Sequence, residues 1–449
     1  MKIKFLGASG TVTGSSYVLE SKNTSILIDL GMFQGPQEIE IHNYEPFEYD
    51  AKKLTAVILT HAHLDHCGRL PILNRMGFKG NIYMTPPTKE LTELTLLDTV
   101  KIAKEEQSQS LYDLNDVLST SKNFVTVNYH QDLHIGDLLV KFYDAGHILG
   151  SASIEILDKT AVNDIKKIVF SGDIGNYPAF LEEKTEFVNS ADVVVMESTY
   201  GDRLHPDENP SEAIQNEINA IEQSGGTLLI PTFSLDRAQG LLHLIGHLKR
   251  GSKILKQTPI ILDSPMAEKA TKIYVDYPKF FNDHIENDYK RGELFDFEGL
   301  EVTKNWKESQ RIHKRSEAKV IIAGSGMMVG GRIVGHAMHY LPMATTRLMI
   351  VGYQGDGTLG RELLNGAKTV FINNQRIEVK AVVSNSQAMS SHADQKQLLE
   401  WLKNIQGVKK LFLTHGDDEA RVKFAEIIKN NLRINDITLP TLNQEFDIM

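Results

Sequence analysis

The stretch LTHAHLDHCG, residues 59–68, contains three histidines and one aspartate within six positions. Imidazole and carboxylate groups both ligate zinc. Side chains two residues apart on an extended segment point the same way, so His61, His63 and Asp65 are expected to face one cavity, with His66 turning in behind them. The alternative is a polar loop or a helix start ahead of GRLPILNRM. Because an HxHxDH cluster arises by chance in roughly one of a thousand such chains, we favour metal binding.

The composition is that of a globular protein. A chain of 449 residues is longer than one hydrophobic core usually supports, so two or three domains are expected. Hydrophobic residues make up 41% and charged residues 24%, with no long apolar run, so no membrane partner is expected. The first residues, MKIKFLGASG, lack the apolar stretch of a secretion signal, and a cytoplasmic protein is therefore expected.

The single cysteine, Cys67, excludes an intrachain disulfide and a thiolate-based zinc cluster. A bound metal must then be held by histidine and carboxylate. The formal net charge of -10 counts mildly against a polyanionic substrate, although a focused local field can still attract phosphate.

Several short apolar segments are typical of buried strands, and each ends on a carboxylate or a histidine. Because loops converge at strand ends in layered α/β proteins, these residues are expected to share one site. The segments are TSILIDLG (24–31), LTAVILTH (54–61), KKIVFSGDIG (166–175) and ADVVVMESTYG (191–201).

From about residue 209 the pattern changes to alternating helices and strands, which indicates βαβ units around a parallel sheet. Near residue 375 an extended segment, QRIEVKAVV, leads back towards strand-like VKKLFLTHGDDEA. We therefore predict a first domain over 1–207, an inserted domain over 208–375, and a return to the first domain over 376–449.

Three distant residues are candidates to complete the metal site. VILTH and LFLTH are both apolar strands ending in Thr-His, so His415 is expected beside His61 if the two strands are neighbours. His147 in YDAGHILGS and Asp173 in FSGDIG lie in small-residue loops next to predicted strands. Each alone is typical of an ordinary polar residue, but their common placement favours a shared site.

Through these residues, the sequence resembles the metallo-β-lactamase superfamily. MESTYGDR, with Glu197, and SSHAD, with His392, resemble motifs of its β-CASP branch of nucleic-acid-cleaving enzymes, which includes the cleavage-and-polyadenylation endonuclease subunit and its bacterial and archaeal homologues. Histidine at position 415, rather than valine, resembles the members that act on RNA. The resemblance covers essentially the whole chain and implies an αββα sandwich with an inserted β-CASP α/β domain, a parallel sheet flanked by helices.

The resemblance also implies a ligand set for two Zn²⁺ per chain. The first zinc would be held by His61, His63 and His147, the second by Asp65, His66 and His415, with Asp173 bridging. Asp29 in LIDLG matches an early family aspartate that orients a ligand.

The implied function is a zinc-dependent ribonuclease that hydrolyses single-stranded RNA with a hydroxide bridging the two zincs, in RNA processing or decay. Asp65, His392 and Glu197 are the expected catalytic residues. His392 would protonate the departing ribose oxygen and Glu197 would orient it. An endonuclease is preferred; an exonuclease, the RNA target and a homodimer are left open.

Weaker candidates for substrate binding lie in the predicted insertion. GSGMMVGG lacks the last glycine of a dinucleotide fingerprint, at Val329, so we reject that interpretation. Its backbone amides could cradle a substrate phosphate. The side chains proposed for this role are Arg237, Ser325, Arg332 and Arg361.

Two other functions are weighed against the ribonuclease. One is a hydrolase of the same fold that acts on DNA or on a small-molecule ester or lactam, against which the inserted domain argues. The other is a processing-complex subunit without catalysis, against which the complete ligand set argues.

Overall fold

The computed structural model describes residues 1–105, 109–160, 166–355 and 357–448. The strands, in chain order, are β1 (Lys2–Phe5), β2 (Tyr17–Glu20), β3 (Ser25–Ile28), β4 (Ala56–Ile58), β5 (Asn81–Met84), β6 (Phe124–Thr126), β7 (Leu133–Ile135), β8 (Leu138–Asp144), β9 (Ala152–Asp158), β10 (Lys167–Phe170), β11 (Val193–Glu197), β12 (Thr227–Pro231), β13 (Ile260–Asp263), β14 (Leu300–Val302), β15 (Lys319–Ala323), β16 (Arg347–Ile350), β17 (Thr369–Ile372), β18 (Gln375–Glu378), β19 (Val382–Asn385), β20 (Lys410–Thr414), β21 (Asp436–Thr438) and β22 (Glu445–Asp447).

Helices occur in both halves of the chain, together with short 3₁₀ turns. They are α1 (Gln37–Glu40), α2 (Leu64–Cys67), α3 (Ile72–Arg75), α4 (Pro86–Glu105), α5 (Leu114–Ser121), α6 (Pro210–Ser224), α7 (Arg237–Arg250), α8 (Pro265–Asp276), α9 (Glu286–Arg291), α10 (Trp306–Ile312), α11 (Arg332–Tyr340), α12 (Leu359–Leu364), α13 (Gln395–Lys403) and α14 (Asp418–Asn431). None of the helices described is both long enough and apolar enough to cross a membrane.

The chain divides into two compact units. Met1–Leu204 and His392–Met449 form the first, and His205–Ser391 forms the second. The insertion was predicted over 208–375. Its start differs by three residues, but its end lies sixteen residues later, because β19 pairs in parallel with β16 and so belongs to the inserted sheet.

The first unit contains two seven-stranded sheets, ordered β22-β1-β2-β3-β4-β5-β6 and β21-β20-β11-β10-β9-β8-β7. Aromatic and branched side chains fill the space between them, among them Phe5, Phe142, Phe170 and Phe412. The outer face of the first sheet packs against side chains such as Leu96 of α4, and that of the second against Trp401 of α13 and Phe424 of α14. The predicted αββα sandwich is therefore confirmed.

The inserted unit contains a six-stranded parallel sheet, ordered β14-β13-β15-β12-β16-β19. Parallel neighbours need crossover connections, and helices supply them, which is the predicted α/β class. Helix α6 shows how the local sequence sets its limits. Asn209 caps its first turn by accepting from the Ser211 amide, and Gly225, at φ 66°, ends it.

Two details of the predicted strands are corrected. β4 and β20 are not neighbours: β4 lies in the first sheet and β20 pairs with β11 in the second. The segment QRIEVKAVV is not one strand either. It divides into β18, paired with β17 in a hairpin, and β19, in the parallel sheet.

Candidate metal centre and active site

The HxHxDH loop follows β4 and changes conformation halfway. His63 has extended backbone angles, φ −65° and ψ 149°, and helix α2 begins at the next residue. Asp65 and His66 therefore lie in the first turn of a helix rather than on an extended segment. The helix start that was weighed as an alternative to metal binding is real, and it is what turns His66 towards the cluster.

Four side chains form a first cluster around one point. His63 Nδ1 lies 3.1 Å from His61 Nε2 and 3.2 Å from His147 Nε2. Asp173 Oδ2 lies 3.5 Å from His61 Nε2 and 3.6 Å from His147 Nε2. Two ligand atoms at the usual zinc distances and the tetrahedral angle lie roughly 3.4 Å apart, so the cluster has the dimensions of a single metal site.

A second cluster lies on the other side of the same aspartate. Asp65 Oδ2 is 3.9 Å from both His66 Nε2 and His415 Nε2. Asp173 Oδ1 lies 3.3 Å from His66 Nε2, and Asp173 Oδ2 lies 3.6 Å from His415 Nε2. The structure thus brings together all seven predicted ligands and places Asp173 between the two groups.

Asp173 shows that the residues fit a bound cation. Its side chain is buried, and Oδ1 accepts no hydrogen bond from the described residues although His66 Nε2 is 3.3 Å away. Burial alone would lower the pKa of His66, but the Asp173 and Asp29 carboxylates raise it well above 6.5. A positive charge, either a proton or a metal ion, is therefore favoured between these carboxylates.

Asp29 orients His66 from behind. Asp29 Oδ2 lies 2.8 Å from His66 Nδ1, while Asp29 also accepts from the amide and the hydroxyl of Thr60, each at 2.8 Å. With Nδ1 held by the carboxylate, Nε2 of His66 faces the cluster. This is the geometry implied for Asp29 by the family resemblance.

Ser15 supports His415 in the way that Asp29 supports His66, and sequence analysis did not predict this role. Its buried Oγ lies 2.9 Å from His415 Nδ1 and 3.3 Å from His66 Nε2. Thr60, bound to Asp29, was missed as well. Neither hydroxyl has a distinctive spacing; the one available signal is that Thr60 directly precedes the first histidine of the loop.

His392 and Glu197 form a pair beside the first cluster. His392 Nδ1 lies 3.3 Å from Glu197 Oε1, and the His392 ring centroid is 4.5 Å from that of His147. Glu197 is fixed at the end of β11 because its Oε1 accepts from the Ile174 amide at 2.6 Å. Burial lowers the pKa of His392, but the charge and hydrogen bond of Glu197 raise it above 6.5 overall.

The four substrate-binding candidates have contacts within the inserted unit. Arg332 pairs with the buried Asp263 and donates to Thr303 Oγ1 at 2.8 Å, which argues against a role in holding phosphate. Arg237 is buried and donates to Ser391 Oγ at 2.8 Å. Ser325 Oγ donates to the Gly330 carbonyl at 3.2 Å, and the Arg361 amide lies in the first turn of α12. A substrate role for these residues stays a prediction.

The fold and the paired histidine–aspartate clusters define a divalent-metal-dependent hydrolase of the metallo-β-lactamase superfamily. Comparison with family models agrees along the chain: "Metallo-beta-lactamase superfamily domain" matches residues 18–196, "Beta-Casp domain" residues 238–363, and "Zn-dependent metallo-hydrolase RNA specificity domain" residues 376–440.

Named relatives extend over nearly all of the chain. Ribonuclease TTHA0252 of Thermus thermophilus is 35% identical over 95% of this chain and 96% of its own length. Transcription termination factor FttA of Methanosarcina mazei is 29% identical over 98% of this chain and 71% of its own length. A crystal structure of a protein of unknown function from Enterococcus faecalis shares the fold, with a TM-score of 0.56 at 12% identity over 99% of each chain.

The chain belongs to the β-CASP family of the metallo-β-lactamase superfamily, a family of metal-dependent nucleases.

Proposed function

We propose that this protein is a zinc-dependent ribonuclease that hydrolyses phosphodiester bonds of single-stranded RNA, with two zinc ions per chain. The observation that carries the proposal is the position of Asp173, buried between two clusters whose imidazole nitrogens and carboxylate oxygens converge on it. Five of the seven converging side chains are histidines, a donor set that suits zinc better than magnesium or calcium.

Zinc bound by these residues would supply Lewis acidity at the phosphate and a nucleophile drawn from water at neutral pH. The protein's own part is proton transfer. Glu197 engages Nδ1 of His392, which leaves Nε2 to donate a proton to the departing ribose oxygen. Because Glu197 is itself fixed by the Ile174 amide, the imidazole is held in one orientation through the reaction.

We infer the substrate from the family and from how little of the site is exposed to solvent. The relative from Thermus thermophilus is named a ribonuclease, and a family model that matches residues 376–440 is described as an RNA specificity domain. Asp173 is 2% exposed and the His392 side chain 20% exposed. A flexible single strand reaches such a recessed site more easily than a duplex does. We place the activity in RNA processing or decay in the cytoplasm.

The experiment is cleavage of end-labelled single-stranded RNA by His392→Ala, with metal content measured on the same sample. We expect zinc content equal to that of the parent and a rate lower by roughly 10²- to 10⁴-fold, the usual contribution of a general acid. The matched control is His130→Ala, which removes the imidazole of an exposed histidine–glutamate pair, His130 with Glu186, in the same unit.

Cleavage by His392→Ala at the parent's rate would show that His392 is not the acid. Parallel reactions with DNA and a chromogenic lactam test the other hydrolase functions. Turnover of the lactam, with none of RNA, would replace the ribonuclease proposal. Product lengths from the end-labelled RNA separate internal cleavage from cleavage at an end.

A further inference from the structure

The inserted unit contains a histidine–aspartate cluster of its own. His243 and His247 lie four residues apart on α7, which places both on one face of the helix, and Asp288 lies on α9. The two imidazole centroids are 4.6 Å apart. None of the sequence motifs that led to the proposed ribonuclease includes these residues.

The donor atoms of the three side chains meet at one point. Asp288 Oδ2 lies 3.1 Å from His243 Nε2 and 2.6 Å from His247 Nε2, and the two Nε2 atoms are 3.1 Å apart. These separations approach those of the first cluster of the metallo-β-lactamase unit. The two 3.1 Å separations need to lengthen by about 0.3 Å, and the His247–Asp288 separation by about 0.8 Å, to reach the roughly 3.4 Å expected between ligands of one tetrahedral ion.

Two arginines lie near the cluster without hydrogen-bonding to its carboxylate. Arg250 and Arg291 approach Asp288 only to 3.9 and 3.8 Å, beyond hydrogen-bond distance, so they do not use up its lone pairs. Arg250 is instead anchored by a hydrogen bond from Nη1 to the Glu293 carbonyl at 2.9 Å. His247 is 48% exposed, which opens the cluster to solvent on one side while His243 and Asp288 are buried.

We propose that His243, His247 and Asp288 bind a divalent transition-metal ion of the zinc class. Two imidazoles and one carboxylate supply three ligands, and water from the open side supplies the fourth. The ion connects α7 to α9 and stabilises the inserted unit. This site is separate from the proposed catalytic centre, and cleavage does not depend on it.

The competing explanation is an ion pair without metal. In it, Nε2–H of each imidazole donates to Asp288, and His243 Nδ1, which has no hydrogen-bond partner among the described residues, stays unprotonated. Both explanations give the same distances in the absence of metal. They differ in whether the cluster takes up zinc.

The experiment compares zinc uptake by the full-length parent, His247→Gln and Asp288→Asn after dialysis against the same buffered free zinc. The matched control is His284→Gln, which changes an exposed histidine of the same unit. We expect the parent and the control to hold one zinc per chain more than either cluster variant, and added zinc to raise the melting temperature of the parent more than that of His247→Gln.

Equal zinc content in the parent and in both cluster variants would overturn the proposal. RNA cleavage measured on the same samples keeps the two proposals apart. Loss of the extra zinc with unchanged cleavage supports this site, whereas the absence of cleavage in the parent concerns the ribonuclease proposal alone.

Discussion

Asp173 and Asp263 are both buried aspartates near the ends of strands, Asp173 three residues after β10 and Asp263 as the last residue of β13, yet their surroundings differ. Asp263, at the end of β13, accepts from Ser309 Oγ at 2.5 Å and is bonded to Thr303 and Arg332 as well as to His336 Nε2 at 2.7 Å. Burial raises its pKa, but these hydrogen bonds lower it to about 2. Its oxygens are satisfied by groups that carry their own hydrogens.

Asp173 has no such partners among the residues that the structure describes. Imidazole nitrogens of His61, His66, His147 and His415 surround it at 3.3 to 3.6 Å, and no hydroxyl or guanidinium group is bonded to it. Nitrogen lone pairs that face a carboxylate need a cation between them. Burial is thus common to both aspartates, and their neighbours differ: hydrogen-bond donors surround Asp263, whereas imidazole nitrogens that suit a shared metal ion surround Asp173.

The largest effect is expected for Asp173→Asn. Removing the charge shared by both clusters should abolish zinc binding at one cluster or both and lower RNA cleavage by on the order of 10³-fold or more, since metal catalysis supplies several kcal/mol. The fold should persist, because Asp173 Oδ1 accepts no hydrogen bond from the described residues that the change would break. Metal analysis and cleavage assays check this; a variant that keeps full zinc content would contradict the comparison.

Asp263→Asn should lower the stability of the protein without changing its zinc content, the reverse of what is expected for Asp173→Asn. Breaking a buried charge network costs roughly 3 kcal/mol, so the free energy of unfolding of the inserted unit should fall by about that much while zinc content at the catalytic clusters stays unchanged. Glu301→Gln is the control, because its pair with Arg315 is partly exposed and should cost less than about 1 kcal/mol. Denaturant unfolding measures both. A loss no larger than that of Glu301→Gln would show that the Asp263 network is not structural.

A smaller effect is expected for the hydroxyl that supports His415. Ser15→Ala removes the group bound to His415 Nδ1 and should weaken zinc affinity 10- to 100-fold, as loss of such supporting contacts usually does. Ser9→Ala is the control, because Ser9 Oγ donates to the Gly7 carbonyl rather than to a histidine of the clusters. Competition with a zinc chelator gives the affinities. Equal zinc affinities for Ser15→Ala and Ser9→Ala would show that Ser15 does not support the metal site.

The smallest expected effect is a dependence of stability on pH that arises from His313. Burial, together with the charges of His336 and His339, lowers the pKa of His313 to about 4 from 6.5. Between those values the unfolded chain binds a proton that the folded chain does not, so stability is lost as pH falls from 6.5 towards 4. The melting temperature should drop by a few degrees between pH 7 and pH 5, and His313→Gln should reduce the drop. An equal drop in the melting temperature of His313→Gln would show that other titrating groups cause it.

Sequence analysis singled out all seven side chains that the structure brings together around Asp173. The residue types and spacing of the HxHxDH loop predict metal binding without knowledge of the fold. The family resemblance added His147, Asp173 and His415 to the predicted ligands. The αββα class followed from the same resemblance. The sequence did not show which strands pair: a Thr-His pair lies at or just after the end of both β4 and β20, yet the two strands belong to different sheets.

Other features were beyond sequence for related reasons. Ser15 and Thr60 act through hydrogen bonds to His415 and Asp29, and in a sequence such a residue looks like any other serine or threonine. The predicted end of the insertion lies before β19, because β19 is half exposed and carries no strong apolar pattern. The pairing of Arg332 with Asp263 was not visible in the sequence, because the two residues are sixty-nine positions apart.

The most direct test of the central claim is zinc titration of the metal-free protein, with RNA cleavage and bound zinc measured together. We predict no cleavage without metal, and a rise in cleavage that is complete when the clusters around Asp173 hold two zinc ions per chain. Under the same conditions Asp173→Asn should gain neither full zinc content nor activity. Cleavage at full rate by protein shown to be metal-free, or with one zinc per chain at these clusters, would contradict the account.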